Sequence, residues 1–298
     1  MLKYRIPAAI FIGLVFYGCL WRDAATAGSM GLTLFIAVGT VVVMREYFRM
    51  VEAKGARPMV FFGVVMAVVL VFAHDRWAWE KWHGLPRSVP DLMDTVVALA
   101  VLGACALQGV RKSPSGAILN IGTTLLGFVY VWFLPSFLVK IRHLGVPGAN
   151  GWAIDGAELV FVTIFVSKIC DVGGLLVGKQ FGRTKLSPVV SPNKTWEGFA
   201  GGIAFSVGLS LYMRWVAPGS ALASLSVGTA ALFGITMAVS GLLGDLLESA
   251  MKRDSEVKDS GGSVPGFGGL LDVVDSLMIS APTAYFFFLL AGARPALG

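Results

Sequence analysis

Long apolar stretches alternate with short polar segments along almost the whole chain. Nine of these stretches approach the roughly 20 residues that an α-helix needs to cross a bilayer. They are Ile6–Leu20, Gly28–Met44, Met59–Ala73, Leu92–Val110, Ala117–Val139, Ile154–Val177, Gly198–Val216, Leu225–Leu247 and Phe267–Leu290. The pattern predicts an all-α fold, a polytopic bundle of about nine transmembrane helices.

The composition strengthens this prediction. Hydrophobic residues make up 56% of the chain and charged residues only 14%, whereas about 25% of residues are charged in soluble domains. A soluble protein of 298 residues could not bury so much apolar surface. We therefore expect lipid to cover it.

The distribution of positive charge predicts an orientation. The net charge is +6, and most Lys and Arg residues fall in segments that are cytoplasmic if the N-terminus is cytoplasmic. This bias predicts a multi-pass protein of the inner (plasma) membrane, and it explains the charge without a nucleic-acid partner. Lys3, Arg5 and Ala25-Thr26-Ala27 are typical of a cleavable signal peptide, but Trp21-Arg22-Asp23 favours a retained first helix.

Two polar loops differ from the others in their content. The first runs from Gly178 to Gly198 and the second from Gly244 to Asp275. Because two predicted spans separate them, they share one membrane face, which the charge bias makes cytoplasmic. We divide the chain accordingly into residues 1–150, five spans without a motif, and residues 151–298, the catalytic region with both loops.

Carboxylates mark the apolar borders of these loops. Asp245 ends a long apolar run, where an unpaired charge is costly, and Asp272 and Asp275 start the ninth span. Several oxygen ligands at one membrane face suit Mg²⁺, which commonly bridges carboxylates and phosphates. Pairing with neighbouring basic residues is the competing interpretation, and it is the one we favour for Glu248.

Basic side chains accompany the carboxylates. Lys and Arg bind phosphate groups, and Arg suits bidentate contacts. The candidates are Lys185, Lys194, Lys252, Arg253 and Lys258. Glycines between residues 261 and 269 would let backbone amides approach an anion closely.

At these residues the sequence resembles the phosphatidate cytidylyltransferases, also called CDP-diacylglycerol synthases. The second loop matches the spacing of the family signature at Ser249, Lys252-Arg253, Lys258-Asp259, Gly261, Pro265-Gly266, Gly268-Gly269, Asp272 and Asp275. The first loop matches at Gly178-Lys179, Phe181-Gly182-Arg183 and Ser191-Pro192-Asn193-Lys194-Thr195-Trp196-Glu197-Gly198. The likeness covers about Asp171 to Asp275.

The sequence departs from the family pattern at a few positions. Phe267 stands where the family has His, and Val273 where it has Arg. Gly174-Leu175 replaces the usual Ala-Tyr. These changes bear on substrate detail and turnover, whereas the carboxylates and most lysines of the pattern are retained.

The resemblance implies transfer of CMP from CTP to phosphatidate, giving CDP-diacylglycerol and pyrophosphate with Mg²⁺ as cofactor. It implies Asp245, Asp272 and Lys252 as catalytic residues, with Asp275 and Asp259 as further metal ligands. It also implies a set of substrate-binding residues, which are Lys194, Ser249, Arg253, Lys258, Trp196 and Lys185.

Several alternatives stay open. A cytidylyltransferase for another lipid phosphate, such as the archaeal ether-lipid type, would share these motifs, and a CTP-using lipid kinase would release CDP instead of pyrophosphate. A secondary transporter would also carry buried carboxylates and broken helices. An inactive family member, a homodimer and a second, monovalent cation are compatible with the sequence.

Overall fold

A computed structural model of the chain describes residues 2–26, 29–75, 92–111, 114–147, 153–154, 156–216, 222–266 and 268–295. These residues are mostly helical, as predicted. The α-helices are α1 Leu2–Thr26, α2 Met30–Ala53, α3 Val60–His74, α4 Leu92–Gly109, α5 Ala117–Gly127, α6 Phe137–Arg142, α7 Gly156–Phe181, α8 Trp196–Val216, α9 Val227–Asp254 and α10 Leu271–Leu290. A π-helical segment, Phe128–Phe133, directly follows α5.

Six helical segments of the described chain are long and apolar enough to cross a membrane. They are Met30–Ala53, Ala117–Arg142, Gly156–Phe181, Trp196–Val216, Val227–Asp254 and Leu271–Leu290. Val60–Ala73 and Thr95–Gly109 are apolar but shorter. Each predicted apolar stretch is helical over most of its length, while the count of nine spans and the cytoplasmic N-terminus stay predictions.

The chain folds into two compact units. The first unit comprises Met1–Val139 and Met251–Val273, and the second comprises Lys140–Ala250 and Val274–Gly298. The segment 251–273, which holds most of the second motif loop, therefore belongs with the N-terminal helices.

Helix α2 forms the centre of the first unit. It packs against α1, α3 and α5, and its Tyr47 and Phe48 side chains are fully buried. Asp23 of α1 accepts hydrogen bonds from the backbone N–H groups of Gly31 and Leu32, both at 2.7 Å. A carboxylate is favourable there because the first N–H groups of a helix lack partners within it.

Small residues set the packing of the second unit. Helices α7 and α8 pack along each other, and a methyl group on Gly202 of α8 would lie 2.6 Å from the Cys170 Sγ atom of α7. The Ser206 hydroxyl donates to the Val166 carbonyl oxygen at 2.9 Å. Because the hydrophobic effect does not drive helices together in lipid, close backbone approach and such hydrogen bonds hold these helices.

Among the described residues of the second unit there are five short strands, which the sequence pattern did not predict. They are β1 Leu144–Pro147, β2 Ala153–Ile154, β3 Lys185–Ser187, β4 Ser191–Thr195 and β5 Arg294–Pro295. Strand β1 lies between β2 and β5, antiparallel to both. Strands β3 and β4 form an antiparallel hairpin within the first motif loop.

The glycine at the contact of α9 with α8 yields a stability prediction. A methyl group on Gly234 would lie 2.6 Å from Val207 Cα and 2.9 Å from the Ser206 carbonyl oxygen, both backbone atoms. We expect Gly234→Ala to lower the free energy of unfolding by about 1–3 kcal/mol, measured by unfolding in detergent. Gly208→Ala is the matched control, because a methyl group there meets nothing within 4 Å. Equal stability of the two variants would contradict this account of the helix contact.

Candidate active site

The hairpin β3–β4 sits between α7 and α8 and fixes the first motif loop. Its register pairs Lys185 with Thr195, and the Thr195 hydroxyl accepts a hydrogen bond from the Gly198 N–H at 3.1 Å. Glu197 accepts hydrogen bonds from the backbone N–H groups of Arg183 and Thr184 at 3.1 Å each. Thr195 therefore caps α8, and the loop is held by its own backbone and side chains.

The first motif loop places a lysine next to a carboxylate of α9. Lys194 of β4 forms an ion pair with Asp245 of α9. The Ser249 hydroxyl, one turn further along α9, donates to Asp245 Oδ1 at 3.2 Å. The structure thus brings together three residues that the sequence had placed in the site.

A second ion pair lies beside them on α7 and α10. Lys168 Nζ is 3.3 Å from Asp275 Oδ1 and 3.9 Å from Asp171 Oδ2. Asp275 is 8% exposed and also accepts a hydrogen bond from the Ser276 N–H at 2.6 Å. Lys168 lies within the predicted span Ile154–Val177, and its ammonium group offsets the negative charge of these two carboxylates.

Three carboxylates of the second unit converge into a cluster that could hold a cation. One oxygen from each of Asp245, Glu248 and Asp275 lies within 4.8 Å of the others. Two oxygens that bind one ion at about 2.0–2.6 Å lie at most about 4–5 Å apart, so this spacing is compatible with a hard divalent cation. The approach is close because Gly244 has no side chain, and a methyl group there would lie 2.5 Å from the Asp275 carbonyl oxygen.

Glu248 is a buried member of this cluster. We had favoured pairing with neighbouring basic residues for it, and that interpretation stays a prediction, while its side chain is fully buried and lies among these carboxylates. The helical spacing from Asp245 carried the signal, since residues three apart share a helix face.

Asp272 organises the second motif loop within the first unit. Its Oδ1 accepts from Lys252 Nζ at 2.7 Å. Its Oδ2 accepts from the Ser260 hydroxyl at 2.8 Å, the Ser260 N–H at 3.1 Å and the Gly269 N–H at 2.7 Å. Both ends of the glycine-rich segment are therefore tied to one carboxylate.

Glycines give that loop its path around Asp272. Gly266 and Gly268 adopt positive φ angles of 83° and 102°, which side chains rarely allow. A methyl group on Gly268 would also lie 3.0 Å from Asp272 Oδ2 and 3.1 Å from Asp259 Cβ. The glycines therefore permit the close turn that the sequence had associated with anion binding.

Glu46 of α2 is a residue that the sequence analysis missed. It is 1% exposed, and its carboxylate accepts hydrogen bonds from the N–H groups of Leu270 at 3.0 Å and Leu271 at 2.8 Å. The Ser260 hydroxyl lies 3.5 Å from Glu46 Oε2. Glu46 thus fixes the start of α10, which bears Asp272.

A signal for Glu46 existed in the sequence. We ended the second span at Met44, which placed Glu46 in a polar segment, but α2 continues to Ala53. Glu46 lies among the buried residues Met44, Tyr47 and Met50. A carboxylate surrounded by apolar residues on a continuing helix indicates a buried partner.

The remaining predicted site residues are more exposed. The side chains concerned are those of Lys185, Trp196, Arg253, Lys258 and Asp259. Phe267 lies outside the described residues, and Val273 is half-buried in the first turn of α10. Asp245 and Asp272 belong to different units, so their participation in one site stays a prediction.

The contacts of Glu46 predict how its loss affects the motif loop. In Glu46→Gln, only the carboxamide oxygen accepts, and the NH₂ group faces a backbone donor. We expect a loss of about 1–3 kcal/mol in the free energy of unfolding and faster tryptic cleavage after the exposed Lys258.

The matched control is Glu52→Gln on the same helix. Glu52 is exposed, and among the described residues its side chain makes no hydrogen bond or ion pair. Equal Tm values and equal cleavage rates for the two variants would contradict the role of Glu46.

Comparisons with known proteins show the family of this chain. The model of the cytidylyltransferase family matches residues 3–291. The phosphatidate cytidylyltransferase of Bacillus subtilis is 38% identical over 96% of this chain and 97% of its own length, and that of Synechocystis sp. is 33% identical over 96% and 95%. Phosphatidate cytidylyltransferase 4, chloroplastic, of Arabidopsis thaliana is 34% identical over 96% and 73%. The resemblance in the two motif loops is therefore confirmed over nearly the whole chain, which belongs to the cytidylyltransferase family.

Proposed function

We propose that this protein transfers CMP from CTP to phosphatidate, forming CDP-diacylglycerol and pyrophosphate. The observation that carries the proposal is the pairing of motif lysines with motif carboxylates, Lys194 with Asp245 and Lys252 with Asp272. The names of the relatives support CTP and phosphatidate as the substrates.

These ion pairs suit a reaction between two anions. Each carboxylate is held next to a cationic side chain, so charge is balanced before substrate arrives. When phosphates enter, the lysines can turn to them, and Lys194, Lys252, Arg253, Lys258 and Lys185 are the proposed phosphate-binding residues. Ser249 and the exposed Trp196 would line the pocket.

Mg²⁺ is the proposed cofactor, and the carboxylate cluster of the second unit fits it best. Asp245, Glu248 and Asp275 supply hard oxygen ligands within 4.8 Å of one another. When bound, the ion would bridge substrate phosphates and neutralise their charge. Asp272 and Asp259, which belong to the first unit, are further proposed metal ligands by family resemblance. Asp272 Oδ2 accepts three hydrogen bonds, and a cation at Oδ1 would replace the Lys252 ammonium group there.

The chemistry requires positioning more than proton transfer. A lipid phosphate monoester is largely ionised at neutral pH, since its second pKa is about 6. Its oxygen attacks the α-phosphorus of CTP, and the bond from that phosphorus to the pyrophosphate oxygen breaks. The lysines hold both reactants in line and stabilise charge on the leaving pyrophosphate.

The membrane setting completes the proposal. We propose a multi-pass protein of the inner (plasma) membrane with about nine spans, a cytoplasmic N-terminus and both motif loops facing the cytoplasm. The six membrane-length helices and the distribution of basic residues support it. In this scheme residues 1–150 supply helices and residues 151–298 supply most catalytic side chains.

The experiment that tests the function follows the α-phosphate and the γ-phosphate of CTP separately. Purified protein receives phosphatidate, Mg²⁺ and CTP labelled on either the α- or the γ-phosphate. We expect the α-label in the lipid, the γ-label in pyrophosphate, and loss of both after chelation of the divalent cation. Release of CDP would indicate a lipid kinase. Absence of turnover would contradict the proposal, and preference for an ether-lipid phosphate over phosphatidate would reassign the substrate.

Substitution of the motif carboxylates should lower kcat in that assay. We expect Asp245→Asn and Asp272→Asn each to lower kcat by about 10²-fold or more, because each removes a charge that organises the phosphate groups. Asp254→Asn is the control, since Asp254 pairs with Lys54 at the surface with 75% of its side chain exposed, and such pairs contribute little. A kcat within about twofold of wild type for Asp245→Asn would remove that residue from the mechanism.

A further inference from the structure

Four serines are buried in the second unit, on the helices that surround the carboxylate cluster. They are Ser167 of α7, Ser240 of α9, and Ser276 and Ser280 of α10, and none is more than 4% exposed. All three helices are long and apolar enough to cross a membrane. A hydroxyl group buried in such a place is costly unless it makes a hydrogen bond, and the mechanism described above gives these serines no role.

The Ser280 hydroxyl joins the three helices. It donates to the Ser276 carbonyl oxygen of its own helix at 2.8 Å, and Ser167 Oγ of α7 lies 2.8 Å from it. The Ser240 hydroxyl of α9 donates to Ser280 Oγ at 3.3 Å and to the Met237 carbonyl oxygen at 3.2 Å. Because a hydroxyl group has one proton and two acceptor lone pairs, Ser280 uses its proton within α10 and accepts from both α7 and α9.

The helix backbones approach closely at the same place. A methyl group on Gly241 of α9 would lie 2.9 Å from Ser167 Oγ and 3.7 Å from Ser276 Cβ. A methyl group on Gly244, one turn further along α9, would lie 2.9 Å from Ser276 Cα. Helix α9 therefore contacts α7 and α10 through glycines, and the Ser280 hydroxyl is an acceptor that both neighbouring helices share.

The hydrogen bond between Ser167 and Ser280 connects the same two helices as an ion pair of the site. Lys168 directly follows Ser167 in α7, and Asp275 lies with Ser280 in α10. Lys168 Nζ is 3.3 Å from Asp275 Oδ1. A shift of α7 along α10 would therefore break the hydrogen bond and the ion pair together.

We propose that Ser280 is a positioning residue that, through Ser167 and Ser240, holds α7 and α9 against α10 in the register that assembles the carboxylate cluster. The proposal rests on the function given above and deepens it by naming what holds the site together. Ser280 acts through the helices that it joins and takes no part in bond breaking.

The expected size of two effects distinguishes this role from general stabilisation. A hydrogen bond between transmembrane helices contributes only modestly to stability. Displacement of reacting groups by about 1 Å, in contrast, can lower a rate by roughly 10²-fold. Loss of the Ser280 hydroxyl should therefore lower the rate while the fold stays nearly as stable.

The first test removes that hydroxyl group. We expect Ser280→Ala to lower kcat for CDP-lipid formation by roughly tenfold or more, with little change in Tm. Thr283→Val is the matched control on the same helix, because the Thr283 hydroxyl donates to the Ile279 carbonyl oxygen within α10 at 2.7 Å. Equal kcat values for the two variants would overturn the proposal.

The second test asks whether Ser167 and Ser280 act through one contact. We expect Ser167→Ala to lower kcat as well. The double variant Ser167→Ala/Ser280→Ala should be no slower than the slower single variant, because either substitution alone already breaks the shared hydrogen bond. Losses of rate that multiply in the double variant would show independent effects and would overturn the proposal.

The third test reads the carboxylate cluster without turnover. The full-length protein in detergent is titrated with Mn²⁺, a paramagnetic substitute for Mg²⁺, in the absence of CTP, and the bound ion is followed by electron paramagnetic resonance. We expect Ser280→Ala to raise the Kd for Mn²⁺ by roughly tenfold or more, because the carboxylates are no longer held in place, and Thr283→Val to bind as wild type does. Equal Kd values for the two variants would overturn the proposal.

The rate and the binding measurement separate failure of the positioning role from failure of the proposed function. Weaker Mn²⁺ binding by Ser280→Ala in a protein that forms no CDP-lipid would support the positioning role and reject the proposed reaction. CDP-lipid formation that is equally fast in wild type and in Ser280→Ala would support the reaction and reject the positioning role.

Discussion

The structure around the second motif loop depends on which groups accept hydrogen bonds from the backbone N–H groups at the start of α10. The first N–H groups of a helix have no partner within it, and a group buried in the protein has no water to replace that partner. Glu46 supplies acceptors for Leu270 and Leu271, and Asp272 supplies one for Gly269. Two carboxylates thus supply acceptors for backbone N–H groups at the start of α10.

The same principle explains the second unit, with lysines in place of backbone donors. Asp245 and Asp275 lie close to apolar helices and would be costly without cations. Lys194 and Lys168 supply that charge, each from an element that the fold must bring into place. Such pairs are balanced but exchangeable, because a divalent ion can replace the lysine at the carboxylate and a phosphate can replace the carboxylate at the lysine. A site built from them can receive an anionic nucleotide with little net change of charge.

Local sequence predicted the parts of this protein that depend on local physics. The helices followed from apolar length, and the shared helix face of Asp245 and Ser249 followed from their spacing, while the role of Lys194 was implied by the family resemblance. Strands β3 and β4 were not predicted, because the polar residues of this loop show no alternating pattern of apolar and polar positions. Glu46 and Leu271 are 225 positions apart, and no periodicity in one segment reveals a partner so distant.

The contact between Glu46 and the start of α10 also gives the N-terminal helices a structural role. They carry no motif, yet segment 251–273 folds into the same compact unit as residues 1–139. Glu46 of α2 fixes the start of α10 through the N–H groups of Leu270 and Leu271. A chain that must bring a water-soluble nucleotide to a lipid needs one surface for each. The polar motif loops are suited to the first, and the apolar helices, which carry no motif, are suited to the second.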